Sequence, residues 1–316
     1  MRRFLSAVGG VLAVVAIVVV AARVRTWWNA SESPTGALDI PPVSEVREMA
    51  SALGVPDSMF GRSGALRVRT LTPAEALRVP GFIDVLGEPA LHVAAAHPVA
   101  LPGGETFHYL VLRPFADKKG EHLGAYRLGR WPAERWIMSR NYFNPDGFVE
   151  VTAANANIPL TPHFTLGDFV THDQRDRWPK YVVLEEKLLD KVELVLRELN
   201  TRGIATGHVV VLSGFRAPYY NDRGVGEGMA RSSRHQYGDA ADLIIDDDRN
   251  GRMDDLNKDG RVDLRDTEVI SLALTRVDRA NPDLRGGLGT YAAMGPSGPF
   301  VHIDVRGTSA RWEGRK

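Results

Sequence analysis

The chain has 316 residues, 44% hydrophobic and 25% charged, which is enough to bury a substantial core in one large domain or two smaller ones. Its 39 basic and 39 acidic residues cancel, so the overall charge does not predict a nucleic-acid partner. The sequence contains no cysteine, which excludes disulfides, thiolate metal ligands and a cysteine nucleophile. A transition metal would therefore be bound by His, Asp or Glu.

The N-terminal residues predict a membrane segment. Two arginines precede an uncharged apolar run over residues 4–22, and Trp27 and Trp28 follow it. The run is close to the ~20 residues that cross a bilayer as a helix, and tryptophan suits the headgroup interface. We expect residues 1–28 to be a signal-anchor, with a cleaved export signal or a buried helix as alternatives. The rest of the chain would then lie in the cell envelope, outside the cytoplasm.

A linker and a small β-rich module are expected next. The stretch NASESPTGALDIPPVSE opens a predicted linker over residues 29–59. Residues 60–150 contain β-favouring pieces such as FHYLVLRPF and GAYRLGRW, separated by Gly and Pro, and predict a module of unknown role. His92, His97 and His108 lie there without ligand spacing, so we expect solvated or core histidines.

Residues 160–316 mix a helix with strands and predict an α+β domain. VLEEKLLDKVELVLRELNTRG carries Leu and Val at helical spacing, with Gly203 as its stop. HVVVLSGFR follows as a buried strand that ends near Arg216. The segment GPFVHIDVRG is another strand, and its alternation puts His302 and Asp304 on one face.

Three residues of this region are candidate zinc ligands: His235, Asp242 and His302. A catalytic zinc site has three protein ligands and keeps a fourth position open. Small residues between His235 and Asp242 allow a tight turn into the strand ADLIID, and His302 would come from the facing terminal strand. On spacing alone, structural histidines remain the alternative.

The complete motif is more specific than the spacing. The string SRHQYGDAAD, residues 233–242, resembles the S-x-H-x-x-G-x-A-x-D pattern of the zinc D-alanyl-D-alanine peptidases, which share their fold with the hedgehog signalling domain. LSGFRAPYYN resembles the arginine-bearing strand end of that family, and FVHIDV resembles its C-terminal histidine strand. The three motifs occur in the family's order, and the resemblance covers roughly residues 160–312, about half of the chain. The resemblance implies a hedgehog/DD-peptidase-like antiparallel sheet with flanking helices, zinc bound by the three candidates, and peptidoglycan peptides as substrates.

The resemblance also implies roles for other residues. Arg216 would pair with a substrate carboxylate, with a structural arginine as the alternative. Ser233 and Tyr219 are further candidates for substrate contact. Relatives use a Glu three residues before the last histidine as the general base, but this chain has Pro299 there. We expect Asp304 to replace it, with orientation of His302 as the alternative role.

An acidic tract over residues 246–266 predicts calcium binding as an insertion in the peptidase domain. DDDRNGRMD and DLNKDGRVD repeat with a period of nine. Oxygen ligands at positions 1, 3, 5 and 9, with Gly at position 6, are typical of calcium loops. A disordered acidic loop is the alternative. The expected ligands are Asp246, Asp248, Asn250 and Asp254 in the first loop, and Asp255, Asn257, Asp259, Asp263 and Asp266 in the second.

Taken together, these features predict an exported, membrane-anchored zinc metallopeptidase of the DD-carboxypeptidase or murein endopeptidase type, with calcium in a structural role. A catalytically inactive metal-bearing domain that binds the cell wall, or serves as a structural anchor, is the alternative.

Overall fold

The computed structural model describes residues 57–101, 104–135, 142–293 and 295–314. The predicted anchor and the linker up to residue 56 lie outside these described residues. Among the described residues no helix has the length and apolar character needed to span a membrane. The described chain mixes helices with mostly antiparallel strands, which confirms the α+β class.

Thirteen strands and five α-helices make up the regular structure of the described residues. The strands are β1 (Val68–Leu71), β2 (Ala96–Ala100), β3 (Thr106–Val111), β4 (Arg113–Pro114), β5 (His122–Leu123), β6 (Tyr126–Arg127), β7 (Gly147–Val151), β8 (Lys180–Val182), β9 (Val209–Ser213), β10 (Ala240–Ile245), β11 (Gly287–Tyr291), β12 (Phe300–Asp304) and β13 (Ala310–Gly314). The helices are α1 (Pro73–Ala76), α2 (Phe82–Leu86), α3 (Glu186–Asn200), α4 (Pro218–Arg223) and α5 (Leu264–Ala280).

A five-stranded sheet carries the candidate site. Its strand order is β13-β11-β12-β10-β9, and all pairs are antiparallel except β11 with β13. In the β10–β12 pair Asp242 lies opposite His302, and in the β9–β10 pair it lies opposite Ser213. The β9–β10 register shifts between Asp242 and Leu243, and such irregularities re-aim side chains near functional sites.

Helices α3 and α5 contact each other and pack against this sheet. The α3 helix buries the leucines and valines that its periodicity assigns to the core, which confirms the predicted amphipathic helix. The α5 helix begins after Asp263, within the last residues of the acidic tract. The Asp263 carboxylate accepts a hydrogen bond from the amide of Arg265, and the amide of Asp263 donates to the carboxylate of Asp266, which completes a capping box.

Two hydrophobic clusters hold the described chain together. The smaller one lies within residues 59–111 and is centred on Phe60, Phe107 and Tyr109. The larger one joins the five-stranded sheet to residues before position 160. Trp131 stacks on Phe215, with ring centroids 6.5 Å apart, and β7 pairs with β8. The separation into a 60–150 module and a 160–316 domain stays a prediction.

Candidate metal centre

The structure brings His235, Asp242 and His302 together in the five-stranded sheet region, and all three are buried. Asp242 and His302 face each other from β10 and β12, and His235 lies in a short 3-10 helix, Arg234–Tyr237, just before β10. Nε2 of His235 is 3.1 Å from Nδ1 of His302 and 3.2 Å from Oδ1 of Asp242. The remaining pair, His302 Nδ1 and Asp242 Oδ1, is 2.9 Å apart. The three side chains could hold a metal ion.

Each histidine has one ring nitrogen that faces the other two candidate ligands and one that faces away. The hydrogen bond of the nitrogen that faces away shows whether the inner nitrogen presents a lone pair. Nδ1 of His235 lies 2.7 Å from the carbonyl oxygen of Gly214, which only accepts, so this nitrogen carries the proton. Nε2 of His302 lies 3.1 Å from Oδ2 of Asp304 and donates to that carboxylate. The inner nitrogens are therefore acceptors, as is Oδ1 of Asp242. Three acceptors about 3 Å apart repel one another unless a cation, either a proton or a metal ion, lies between them.

The local electrostatics favour a neutral imidazole at His235 and an ionised Asp242. Burial lowers the pKa of His235, an effect that the charge of Asp242 partly offsets. Burial raises the pKa of Asp242, but His235, His302 and Arg216 outweigh it and hold this pKa well below its ordinary value. Burial lowers the pKa of His302, but the bonds to Asp242 and Asp304 outweigh burial and raise it. Because metal coordination requires deprotonated ligands, a metal ion would displace a proton from His302.

Arg216 contacts the candidate ligand Asp242 directly. Its guanidinium pairs with Oδ2 of Asp242, leaving Oδ1 directed at the two histidines. Its Nε donates to Oγ of Ser213 at 2.7 Å, and its backbone amide donates to the carbonyl of His235 at 3.0 Å. Arg216 therefore holds two ligand-bearing segments in place. Its predicted pairing with a substrate carboxylate stays a prediction.

Asp304 lies behind His302, away from the cleft, and is 0% exposed. Its carboxylate accepts hydrogen bonds from the amide of Gly287 at 2.7 Å, from Nε of Arg306 at 2.9 Å and from His302. Burial raises the pKa of Asp304, but the bonds from His302, Arg306 and Gly287, with the charge of His302, together outweigh burial and hold this pKa well below its ordinary value. A buried, fully engaged carboxylate that stays ionised favours the orienting role over that of a general base.

An open cleft gives access to the three metal-binding candidates, and Ser233 lines it as well. Tyr220 lines the cleft, whereas Tyr219 is not among its described lining residues. The ring of Tyr219 lies between two guanidinium groups instead, 3.9 Å from that of Arg127 and 5.6 Å from that of Arg223. The structure thus places Ser233 at the candidate site and directs Tyr219 elsewhere.

Trp312 was not predicted as part of the site, but its indole borders both the cleft and His302. The two rings have centroids 5.1 Å apart, and Nε1 of Trp312 donates to the hydroxyl of Tyr291 at 2.9 Å. The indole fits because β11 carries glycine beneath it: a Cβ at Gly289 would lie 2.5 Å from the indole. The sequence GLG in β11 could have predicted this contact, because glycine within a strand often marks the close approach of another group.

Substituting Gly289 with alanine is expected to displace Trp312 and weaken metal binding. The new methyl group would collide with the indole, and such overpacking costs about 1–3 kcal/mol. Zinc affinity and the free energy of unfolding should both fall, as measured by competition with a chelating dye and by urea titration. Gly295→Ala is the matched control, because a Cβ there meets nothing within 4 Å. Equal behaviour of the two variants would contradict the packing role given to Gly289.

The acidic tract repeats in its backbone geometry as well as in its sequence. Arg249 and Lys258, at the same position in the two loops, both have φ of 60°, and Gly251 and Gly260 have φ of 81° and 83°. The amide of Gly251 donates to Asp246, and that of Gly260 donates to Asp255. The sharp turn expected at position 6 is therefore present twice.

The two loops differ in their carboxylates. In the first loop Asp246, Asp248 and Asp254 each offer an oxygen within 4.8 Å of the others, so this group could hold a metal ion. In the second loop Arg265 pairs with Asp259 at 2.6 Å and with Asp263 at 2.8 Å. Calcium binding by either loop stays a prediction. The first loop is the better candidate, because its carboxylates lie close together, whereas two in the second loop are paired with Arg265.

Comparisons of the chain with protein-family models, with curated proteins and with solved structures found no match. The resemblance to the zinc D-alanyl-D-alanine peptidases is therefore carried by the three motifs alone.

Proposed function

We propose that the chain is a zinc-dependent peptidase that acts on peptidoglycan stem peptides or cross-links, with a hedgehog/DD-peptidase-like fold. The observation that carries this proposal is the convergence of three acceptor atoms from His235, Asp242 and His302 beside an open cleft. A buried site of two imidazoles and one carboxylate is typical of zinc bound for catalysis rather than for structure, because it leaves a coordination position for water.

The donor set fits zinc in type and spacing. Four ligands at ~2.0–2.1 Å in a tetrahedron would lie ~3.3 Å from one another, close to the 2.9–3.2 Å between the three candidate atoms. When bound, zinc would lower the pKa of a coordinated water and polarise the carbonyl of the scissile bond. Asp304 orients His302, the carbonyl of Gly214 orients His235, and Arg216 orients Asp242.

Three guanidinium groups line the cleft, those of Arg216, Arg234 and Arg306. Each is paired with a buried aspartate, Asp242, Asp239 or Asp304, so a substrate carboxylate would share a guanidinium with one of these partners. Stem peptides of peptidoglycan carry free carboxylates, and a guanidinium binds a carboxylate through two parallel hydrogen bonds. Identification of the reaction products would distinguish removal of a terminal D-alanine from cleavage of a cross-link.

A second candidate function is an inactive metal-bearing domain that binds the cell wall or serves as a structural anchor. Two observations favour it. Pro299 stands where relatives carry the glutamate base, and Asp304 is enclosed behind His302. On this alternative the metal would stabilise the fold, and no peptide bond would be cleaved.

The proposal includes a structural calcium ion and a location in the cell envelope. Calcium at the first acidic loop would brace the end of β10, because the amide of Asp254 donates to the carbonyl of Ile245 at 2.9 Å. The amide of Met253 donates to the carbonyl of Ser297, in a loop that lines the cleft. Export and anchoring rest on residues 1–28, which lie outside the described residues. Peptidoglycan and the membrane are the proposed partners, and nucleic acid is not one.

Incubation of the full-length protein with purified muropeptides tests the proposal. After treatment with a chelator, we expect hydrolysis to stop and to return when zinc and calcium are supplied together, with the products identified by mass spectrometry. Recovery with zinc alone in calcium-free buffer would refute the coupling to calcium and leave the peptidase intact. Stoichiometric zinc without any cleavage would favour the inactive domain.

A further inference from the structure

Peptide hydrolysis in this cleft needs a group that accepts a proton from water, and Asp304 is enclosed behind His302. Apart from the three metal-binding candidates, two described cleft residues carry an imidazole or a carboxylate: His172 and Glu227. These are the side-chain types that most often serve as general bases. His172 and Glu227 are therefore the candidate bases of the cleft.

The backbone holds His172 in the wall of the cleft that the three metal-binding candidates also line. Oγ1 of Thr171 donates to the carbonyl of Phe215 at 3.1 Å and accepts from the amide of Ala217 at 3.0 Å. The amide of Phe215 in turn donates to the carbonyl of Phe169 at 3.0 Å. These bonds hold the segment before His172 alongside the segment that carries Arg216, whose guanidinium contacts a metal-binding side chain.

Glu227 is held less firmly. It lies between Gly226 and Gly228, which have φ of 94° and 103°, so its loop depends on two left-handed glycines. Its backbone amide donates to the carbonyl of Gly224. Because a general base must be positioned within hydrogen-bond reach of the reacting water, the anchored histidine is the better placed of the two.

The surroundings of His172 keep its imidazole neutral and available. Partial burial is the largest cause that lowers its pKa, and the charges of Arg216 and Arg175 lower it further. These are the charged groups that act on it, one from the segment after β9 and one from its own loop. Within the described part of the chain neither ring nitrogen has a hydrogen-bond partner. A neutral imidazole with an open lone pair is the form that accepts a proton.

We propose that His172 is the general base of the reaction, in place of the glutamate that this chain lacks; the inference rests on the proposed function. A water molecule attacks the scissile carbonyl carbon and its proton passes to a ring nitrogen of His172. As the C–N bond breaks, the imidazolium returns that proton to the leaving nitrogen, which gives a carboxylic acid and an amine. The acid then loses the second proton of the water, and the amine gains one, so the products at neutral pH are a carboxylate and an ammonium group. No oxidant or further reactant is required.

The test uses zinc-loaded full-length protein and three variants: His172→Gln, Glu227→Gln and, as a control, His92→Gln, whose histidine is exposed and outside the cleft. We expect H172Q to lower kcat about 100-fold or more with little change in KM and with unchanged zinc content. The wild-type rate should fall as the pH drops through the pKa of His172, below 6.5. In H172Q the residual rate should lose that step. E227Q should keep the step, and H92Q should behave like the wild type.

Four results would overturn the assignment. An H172Q variant with wild-type kcat would do so, and so would loss of the acid-side step in E227Q instead. Loss of zinc from H172Q would show that the histidine acts through the metal site. A wild-type protein without activity would overturn both this inference and the proposed function, whereas an active wild type with an unaffected H172Q would overturn this inference alone.

Discussion

Replacing Asp242 with asparagine is expected to abolish hydrolysis and to remove stoichiometric zinc from the protein. The amide keeps the size of the side chain but loses the negative charge that faces His235 and His302. It also leaves the guanidinium of Arg216 without its anionic partner. Mutation of a residue that only hydrogen-bonds to a metal ligand lowers metal affinity about 10–100-fold. Loss of a ligand itself should lower the zinc affinity further.

Zinc content by mass spectrometry and cleavage of muropeptides measure this prediction together. Asp222→Asn is the matched control, because Asp222 is also paired with an arginine, Arg135, but lies outside the candidate ligand set. The control should retain zinc and activity. A D242N variant that keeps both at the wild-type level would contradict the assignment of Asp242 as a ligand.

Replacing Gly238 with alanine should produce the largest loss of stability among the glycine substitutions considered. Gly238 has φ of 66°, in the left-handed region, and a Cβ there would lie 2.1 Å from the carbonyl oxygen of Val183. The strained φ costs about 1–2 kcal/mol, and the collision with a backbone atom adds about 1–3 kcal/mol. Since the free energy of unfolding of a protein is about 5–15 kcal/mol, the two contributions together would remove a large fraction of it.

The control Gly81→Ala separates the two contributions. Gly81 has a similar φ of 74°, but a Cβ there meets nothing within 4 Å. We expect G81A to lose only the conformational part of the free energy of unfolding, and G238A to lose more and to bind zinc more weakly, because Gly238 ends the short helix that carries His235. Urea titration measures both. Equal losses in the two variants would contradict the close approach of Val183.

The metal-binding candidates could be predicted from the sequence because the motif itself encodes their geometry. Gly238 allows the left-handed turn between His235 and Asp242, and alternation along β12 places His302 on the same face of the sheet as Asp242 of β10. The α3 helix also followed from periodicity, since it buries the stripe of leucines and valines that its spacing marks. Such signals are local in the chain.

The features that escaped prediction depend on contacts between distant segments. Trp312 reaches His302 only because β13 pairs in parallel with β11, whose glycine leaves room for the indole. The ion pair of Arg216 with Asp242 needs β9 and β10 to be neighbours. Placement of His172 requires the bond between Phe169 and Phe215. Residue spacing along one chain contains none of these pairings, so a pattern analysis could not identify them.

X-ray absorption at the zinc edge, with metal quantitation on the purified full-length protein, tests the central claim most directly. The account predicts one zinc ion per chain, with two imidazole nitrogens and carboxylate or water oxygens as its ligands, and loss of that signal in D242N. A zinc-supplemented protein that holds no stoichiometric ion, or one whose zinc lacks imidazole ligands, would contradict the account.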